Sequence, residues 1–360
     1  MASRRARGAA GRQTAAGWVF TAPVLIILGL FLALPVVMAA WVSVSDWTGR
    51  GSPFSGRVNF VGAENYSTLL LGGGLTTADF GVSLRNNAWY VLLVVPIQTV
   101  VALSLAVLVG RRAIRGRGFF RTAFYFPSVT SSVAITVVFL FLFSATGAVN
   151  AFLAYLGING PNWFNDPRGI VHIALGWVGV DSGPSFLTSY RFLGVTWWEW
   201  LAGPSVAMCV FIMLAIFTTS GTFMLLFIAA LQNIPAEVEE AAMVDGANAR
   251  QRFFQVTLPQ LRPTMFTVLT LGLIGTWQVF DQVYVATQGG PGKTTLTPAY
   301  LSYESSFERQ EWGQGAAIAF ILFAIIVVLT VFQRFALRER GVSRRQRVAP
   351  VAPVPEEAKR

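Results

Sequence analysis

The chain has 360 residues, 54% of them apolar and only 12% charged, with a mean hydropathy of +0.57 and a formal net charge of +10. Soluble domains run at about 45–50% apolar and about 25% charged, so this composition assigns the chain to a bilayer. A single cysteine, Cys209, excludes an internal disulfide framework and a cysteine-based metal site, and a single histidine, His172, leaves little metal chemistry.

In chain order, a basic segment over 1–17 carries Arg4, Arg5, Arg7 and Arg12 and leads into the first long apolar run. That run exceeds the 7–15-residue core of a signal peptide and is followed by five more, so it reads as a span and not as a cleaved leader. The six runs cover 18–44, 88–109, 123–143, 205–231, 265–287 and 316–335. Each reaches the length of about 20 residues that crosses about 30 Å of hydrocarbon. The predicted fold class is an all-α integral membrane protein, one bundle of six transmembrane helices over 18–338. The remainder, 339–360, is Arg-rich and then Pro/Ala/Val-rich and is expected to be a disordered tail. No internal repeat is visible, which argues against a secondary transporter with tandem halves.

Lys and Arg are unevenly divided across the spans. On the side of the N-terminus there are 4 before the first span, 5 between the second and third, 3 between the fourth and fifth and 8 at the end of the chain, against 7 on the opposite side. The positive-inside rule therefore predicts cytoplasmic N- and C-termini, and the net charge reflects topology, not nucleic-acid binding. The Arg cluster beyond the last span is positive-inside charge, with anionic lipid as a further contact. Trp18, Trp41, Trp89 and Trp312 lie near span ends, where interfacial anchoring is expected.

Between the fourth and fifth spans, on the predicted cytoplasmic side, sits a polar loop over 232–263. Pro235 suits the first turn of a helix. Glu237, Glu239 and Glu240 follow, where negative charge favours the helix N-terminus. Ala241 and Ala242 give a small-residue face, and Gly246, next to Asp245, can take positive φ and turn the chain. A second short helix is expected over 247–256, ended by Pro259 after Leu258. Such a helix–turn–helix in the cytosol is a docking surface.

The stretch EAAMVDGANARQRFFQVTLP, with LQNIP before it and VFDQVYVATQGGPG after it, resembles the EAA loop and its neighbourhood in ABC-importer permeases of the carbohydrate uptake type, the maltose and glycerol-phosphate family. FVGAENY, FFRTAFYFP and NWFNDP add to the resemblance, which extends from the first span to Arg338 and points to the first permease of a heterodimeric pair. It implies an importer-permease bundle in the bacterial or archaeal inner membrane, with a cytoplasmic coupling helix and no catalytic site of its own. It further implies a second permease subunit, an ATPase dimer that binds ATP and Mg in place of any cofactor in this chain, an extracytoplasmic solute-binding protein, and a sugar substrate. By the same resemblance Glu240, Ala241, Ala242, Asp245, Gly246, Leu258 and Pro259 form the ATPase-coupling element.

GGPGKTT at 289–295 imitates a phosphate-binding loop, but that motif needs Gly five residues before the Gly-Lys pair, and position 287 is Thr. A turn at a helix end suffices.

Polar or aromatic groups at membrane depth are costly in lipid and face a cavity or a partner. Trp277, Gln278 and Asp281 in the fifth span answer to this, the first two matching sugar-site positions of the maltose-type permease. At 1.5 Å per residue, Gln278 lies about 14 Å and Asp281 about 9 Å inside the outer end. Thr219 and Thr222 in the fourth span are the other pathway residues. Phe217 and Gly221 stand where the family often has Trp and Pro, and the outer segment 169–204 is longer than usual, with contact to the binding protein, the membrane interface or a simple ordered loop as its readings. Pro96 and Pro127 read as kinks and His172 as structural. A permease for a non-sugar solute is the nearest alternative. A secondary transporter would need coupling-ion sites or charge pairs within the spans, where Asp281 is almost alone.

Overall fold

In hydrocarbon only a helix satisfies every backbone N–H and C=O within one segment, and the apolar runs fold accordingly in the computed structural model, which describes residues 16–110 and 116–336. The main helices are α1 (Ala16–Ser43), α2 (Leu75–Gly110), α3 (Arg117–Val129), α4 (Ser132–Leu142), α5 (Val206–Gln232), α6 (Ala236–Val244), α7 (Arg262–Trp277), α8 (Asp281–Ala286) and α9 (Trp312–Ala336). Among the described residues five helices, α7 and α8 taken as one, are long and apolar enough to cross a membrane, or six if α3 and α4 count together. Most of the N-terminal basic segment, Arg111, Arg112 and Arg115, and the tail 339–360 lie outside the described residues.

Three of the expected spans take a different form. The third is not one helix: α3 and α4 meet at 98°, because Thr130 and Ser131 are extended at ψ 145° and 130°. The fifth breaks between Trp277 and Asp281, with Phe280 at φ −136°, ψ −58°, so a depth counted on an unbroken rise does not hold past Gln278. The second starts at Leu75, well before the expected residue 88. Its first turns are polar, yet Thr77, Asp79, Ser83 and Asn86 are buried. Thr77 Oγ1 donates to nearby Thr68 O (2.8 Å) and Ser83 Oγ to Phe80 O (2.7 Å), while partners far along the chain, which hydropathy cannot see, satisfy Asp79 and Asn86, whose Nδ2 donates to the carbonyls of Lys293 and Leu296 (2.8 and 2.9 Å).

Side-chain clusters sort the helix ends. Phe80, Tyr90, Met208, Phe211, Val283 and Ile318 gather the starts of α2, α5 and α9 with the end of the α7–α8 pair. Ala106, Val109, Phe227, Ile228 and Leu261 gather the ends of α2 and α5 with the start of α7. Thus α2 and α5 run parallel and α7 runs against them, and the loops following α2 and α5 leave from one end. The centre belongs to α5, 56% buried over its most apolar window, whereas that window of α1 is 0% buried and the helix joins the bundle at its end, where Val42 and Ser43 are buried.

At the opposite end, the loop 289–295 is a clasp. Lys293 Nζ pairs with Asp79 Oδ1 at 2.6 Å, Arg309 reaches Asp79 Oδ2 at 3.5 Å, and Asn86 holds the Lys293 carbonyl. The outer segment is ordered too. Strands β1 (Arg191–Phe192) and β2 (Val195–Thr196) pair through a two-residue turn with Leu193 at φ 48° and Gly194 at φ 74°, the doubly positive turn that hairpins favour. Thr196 and Glu199 then form a capping box for Trp197–Trp200. His172 stacks on Trp198 with ring centroids 4.4 Å apart and its Nε2 lies 3.1 Å from the Trp198 carbonyl. Among the described residues no cluster of metal-ligating groups forms.

Candidate functional site

Two regions bring the sequence-predicted residues together. The first is the loop after α5. Pro235 is the N-cap of α6, one place before the first turn, and Glu237 and Glu239 occupy that turn, with Glu240 just beyond it. Asp245 is the C-cap, and Gly246 follows at φ +78° with nothing within 4 Å of a built Cβ. Ala247 N–H donates to Ala242 O (3.0 Å) and Gly246 N–H to Met243 O (3.1 Å), the paired closure of a Schellman motif. The chain restarts at Asn248, whose side chain and that of Gln251 cap each other's backbone N–H at 2.9 Å.

The second helix differs from expectation. It is α-helical over Ala249–Gln251, π-helical over Arg252–Thr257 and α-helical again over Leu258–Gln260, so Pro259 does not end it. The wider turns just upstream take up the ring that a regular helix would reject. Leu261, fully buried, then ties the loop to the bundle. Within α6 only Ala242 is buried, while Met243 is 50% and Val244 88% exposed. Both Glu240 and Ala241 are exposed.

The second region is a pair of cavities along α5. One, of about 270 Å³, is lined by Gln98 of α2, Thr218 and Thr219 of α5, and Gln278, Asp281 and Gln282 at the α7–α8 break. The other, about 300 Å³, shares Thr218, Thr219, Phe223 and Gln282 and adds Ser128, Thr130, Ser132 and Thr222 from the α3–α4 bend and α5. Helix breaks place polar groups and backbone at membrane depth where a cavity can receive them, and here both breaks do so. A third space of about 620 Å³ lies along α9 beyond Gln278 and is mostly apolar. Among all the lining residues, Asp281 is the one with a formal charge; no Lys, Arg or His takes part.

Gln278, Asp281, Thr219 and Thr222 therefore converge on this trough. Trp277 does not: 6% exposed, it packs with Val91, Val95, Leu322 and Ile326. Successive helical residues point about 100° apart, so Gln278 facing the cavity turns Trp277 into the bundle. Gly221 is a point of contact with α3, since a Cβ there would strike the Phe124 carbonyl, and Ser128 Oγ donates to Thr218 O at 2.6 Å beside it. Phe217 packs on Phe139, ring centroids 5.9 Å apart. Sequence reasoning missed Gln98, Ser128 and Gln282. Gln98 carried a signal, as the one side-chain amide in the apolar run 88–109.

Residues 98–340 match the family described as binding-protein-dependent transport system inner membrane component. The chain is 31% identical to the lactose transport system permease protein LacF of Rhizobium radiobacter, over 90% of this chain and 94% of that one. It is 28% identical to the arabinooligosaccharides transport system permease protein AraP of Bacillus subtilis, over 89% and 87% respectively. Its fold is similar to a chain in the crystal structure of a bacterial alginate ABC transporter in complex with an alginate pentasaccharide-bound periplasmic protein. That likeness has a TM-score of 0.67 and 17% identity, and it covers 91% of this chain and 95% of that one.

Proposed function

The chain belongs to the binding-protein-dependent transport system inner membrane component family, and from that premise we propose that it forms half of the translocation pathway of an ABC importer for a neutral sugar. It is a multi-pass membrane subunit without a catalytic site. With six spans, the bent α3–α4 pair serving as the third, both termini and the α6 loop share one side, and the excess of Lys and Arg there supports the cytoplasm as that side. The bacterial or archaeal inner membrane is its location. A second permease completes the pathway, an ATPase dimer binds ATP and Mg, and an extracytoplasmic solute-binding protein delivers the solute.

The observation that carries this reading is the trough itself: hydroxyl and amide groups with one carboxylate and no cation, walled by a broken helix. Such a lining offers hydrogen bonds in both directions to a polyhydroxylated solute and no counter-charge to a phosphate or an acidic sugar. The names of LacF and AraP, with lactose and arabinooligosaccharides as their solutes, agree with a neutral saccharide. Gln278, Asp281, Thr219 and Thr222 are the groups that meet it, while Trp277 supports the helix from behind.

Coupling runs through the α6 loop. Glu240, Ala241, Ala242, Asp245, Gly246, Leu258 and Pro259 shape an element whose exposed Met243 and Val244 seat in the ATPase. Only a contact that differs between two states can shift their balance, and moving a 1:99 population to 99:1 takes about 5.5 kcal/mol. Closure of the ATPase dimer on ATP supplies that difference through the loop. The test is the complete importer reconstituted in vesicles with its binding protein and lactose as the first probe. Wild type should accumulate sugar with stimulated ATP hydrolysis, and Glu240→Lys should lower the stimulated rate at least tenfold while the subunit still inserts. Unchanged stimulation in that variant would return the loop to an ordinary linker.

A further inference from the structure

Gln98 is fully buried at the level of the trough, on the wall where α2, α5 and α7 meet. Its amide lies between Thr219 and Gly272. With the amide oxygen toward Thr219, the threonine Oγ1 stands 2.6 Å from Gln98 Oε1 and 2.7 Å from the Ala215 carbonyl, two acceptors sharing the one proton of a hydroxyl. The Gln98 NH2 then has no partner at all. A half-turn of the amide, whose two ends are nearly equal in size and are assigned from their partners, resolves both conflicts. NH2 donates to Thr219 Oγ1, and Thr219 donates to Ala215. What remains is an amide oxygen with no donor, beside Gly272, where any larger residue would collide with it.

A buried acceptor left without a donor is a cost that folding does not require here, because a leucine would fill the same volume. We infer that the Gln98 amide oxygen is a solute-binding acceptor of the trough, reserved for a hydroxyl of the transported sugar. Thr219 fixes the amide plane, Gly272 leaves the space beside it, and the low local dielectric strengthens any bond made there. This rests on the transport reading above and adds a residue on α2, a helix that the sequence assigned no solute contact.

The experiment uses the complete importer in vesicles, with lactose and a set of its singly deoxygenated analogues as probes. Gln98→Leu should raise the half-saturation concentration for lactose about five- to tenfold, the worth of one hydrogen bond, a larger change than any in the maximal rate. One deoxygenated analogue should show the wild-type and Gln98→Leu importers equal, which a merely structural role would not produce. The thermal midpoint of the purified variant should hold or rise, since the unpartnered oxygen is gone. Equal half-saturation for every probe, or a change confined to the maximal rate, overturns the inference. Should Gln98→Leu fail to assemble, Gln98→Met, closer in length, is read the same way. Absence of saccharide uptake by the wild-type importer for every neutral sugar offered would instead strike the transport reading.

Discussion

The α6 loop, proposed for coupling, and the trough are built in opposite ways. The loop's parts lie within about thirty residues of one another, 232–263, and its geometry closes locally through a Schellman turn and a capping box. The trough draws Gln98, Thr219 and Gln278 from three helices far apart in the chain. A docking surface has to present itself to a partner, so it reads as a polar island in an apolar chain. A pathway has to be hidden from lipid, so its residues are polar positions scattered over apolar helices, and their meeting is decided by packing. Damage should differ accordingly: local and specific to coupling in the loop, spread over stability and affinity in the trough.

The largest effect is expected at Gly246. A proline ring fixes φ near −65° and cannot adopt the +78° seen there, so Gly246→Pro should unmake the turn and bring sugar-stimulated ATP hydrolysis down to its basal rate. Gly246→Ala meets no atom within 4 Å and bears only the left-handed backbone cost of about 1–2 kcal/mol. It should keep a reduced but measurable stimulation. If alanine and proline were equally damaging, space on the loop surface, and not the turn, would be what matters, and the local picture of the loop would fail.

At the trough the corresponding position is Gly221, where the α3 backbone touches α5. A methyl there strikes the Phe124 carbonyl, and overpacking of this kind costs about 1–3 kcal/mol. Gly221→Ala should therefore lower the thermal midpoint of the detergent-solubilised chain and weaken sugar affinity together, because the same contact holds Ser128 against Thr218 and shapes the wall. A variant that lost affinity with its midpoint unchanged would show that the wall moves independently of the bundle, contrary to the contrast drawn between the two regions.

The same contrast explains what the sequence made legible. Three of the six apolar runs, the first, fourth and sixth, become single helices near their expected bounds, since about 20 apolar residues in hydrocarbon leave the backbone no alternative. The loop's helix–turn–helix was readable from Pro235, the glutamates and Gly246. What escaped was decided by tertiary partners. Asp79 and Asn86 extend α2 by more than three turns because Lys293 and the 289–295 clasp satisfy them. Pro259 passes through a helix because the π segment before it makes room. Pro127 announced a kink before the bend after Val129 but not its 98° angle, and the break after Trp277 has no proline or glycine at residues 278–280, so nothing local announced that Trp277 would turn into the bundle. The 169–204 segment showed its aromatic content but not the hairpin that Leu193 and Gly194 close.

The smallest effect belongs to that segment and to pH. Burial lowers the His172 pKa first, with the nearby Arg85 lowering it further, while the Trp198 carbonyl and Glu199 act the other way. The folded state thus binds this proton less readily than the unfolded chain does. Stability from the neutral ring is present in full above the ordinary histidine range and is lost as pH falls through it toward the lowered folded value. Because the ring is largely solvated, the loss should be modest and local. Charging the imidazole turns a stacked neutral ring into a cation 4.4 Å from Trp198, which quenches indole emission through close contact while loosening the segment. Tryptophan emission of the segment, isolated by comparing wild type with Trp198→Phe, should therefore fall as pH drops from 7.5 to 5, and His172→Gln should abolish that step. Neither change should alter stimulated ATP hydrolysis at pH 7.5. A step of equal size in the glutamine variant would leave the histidine as packing alone.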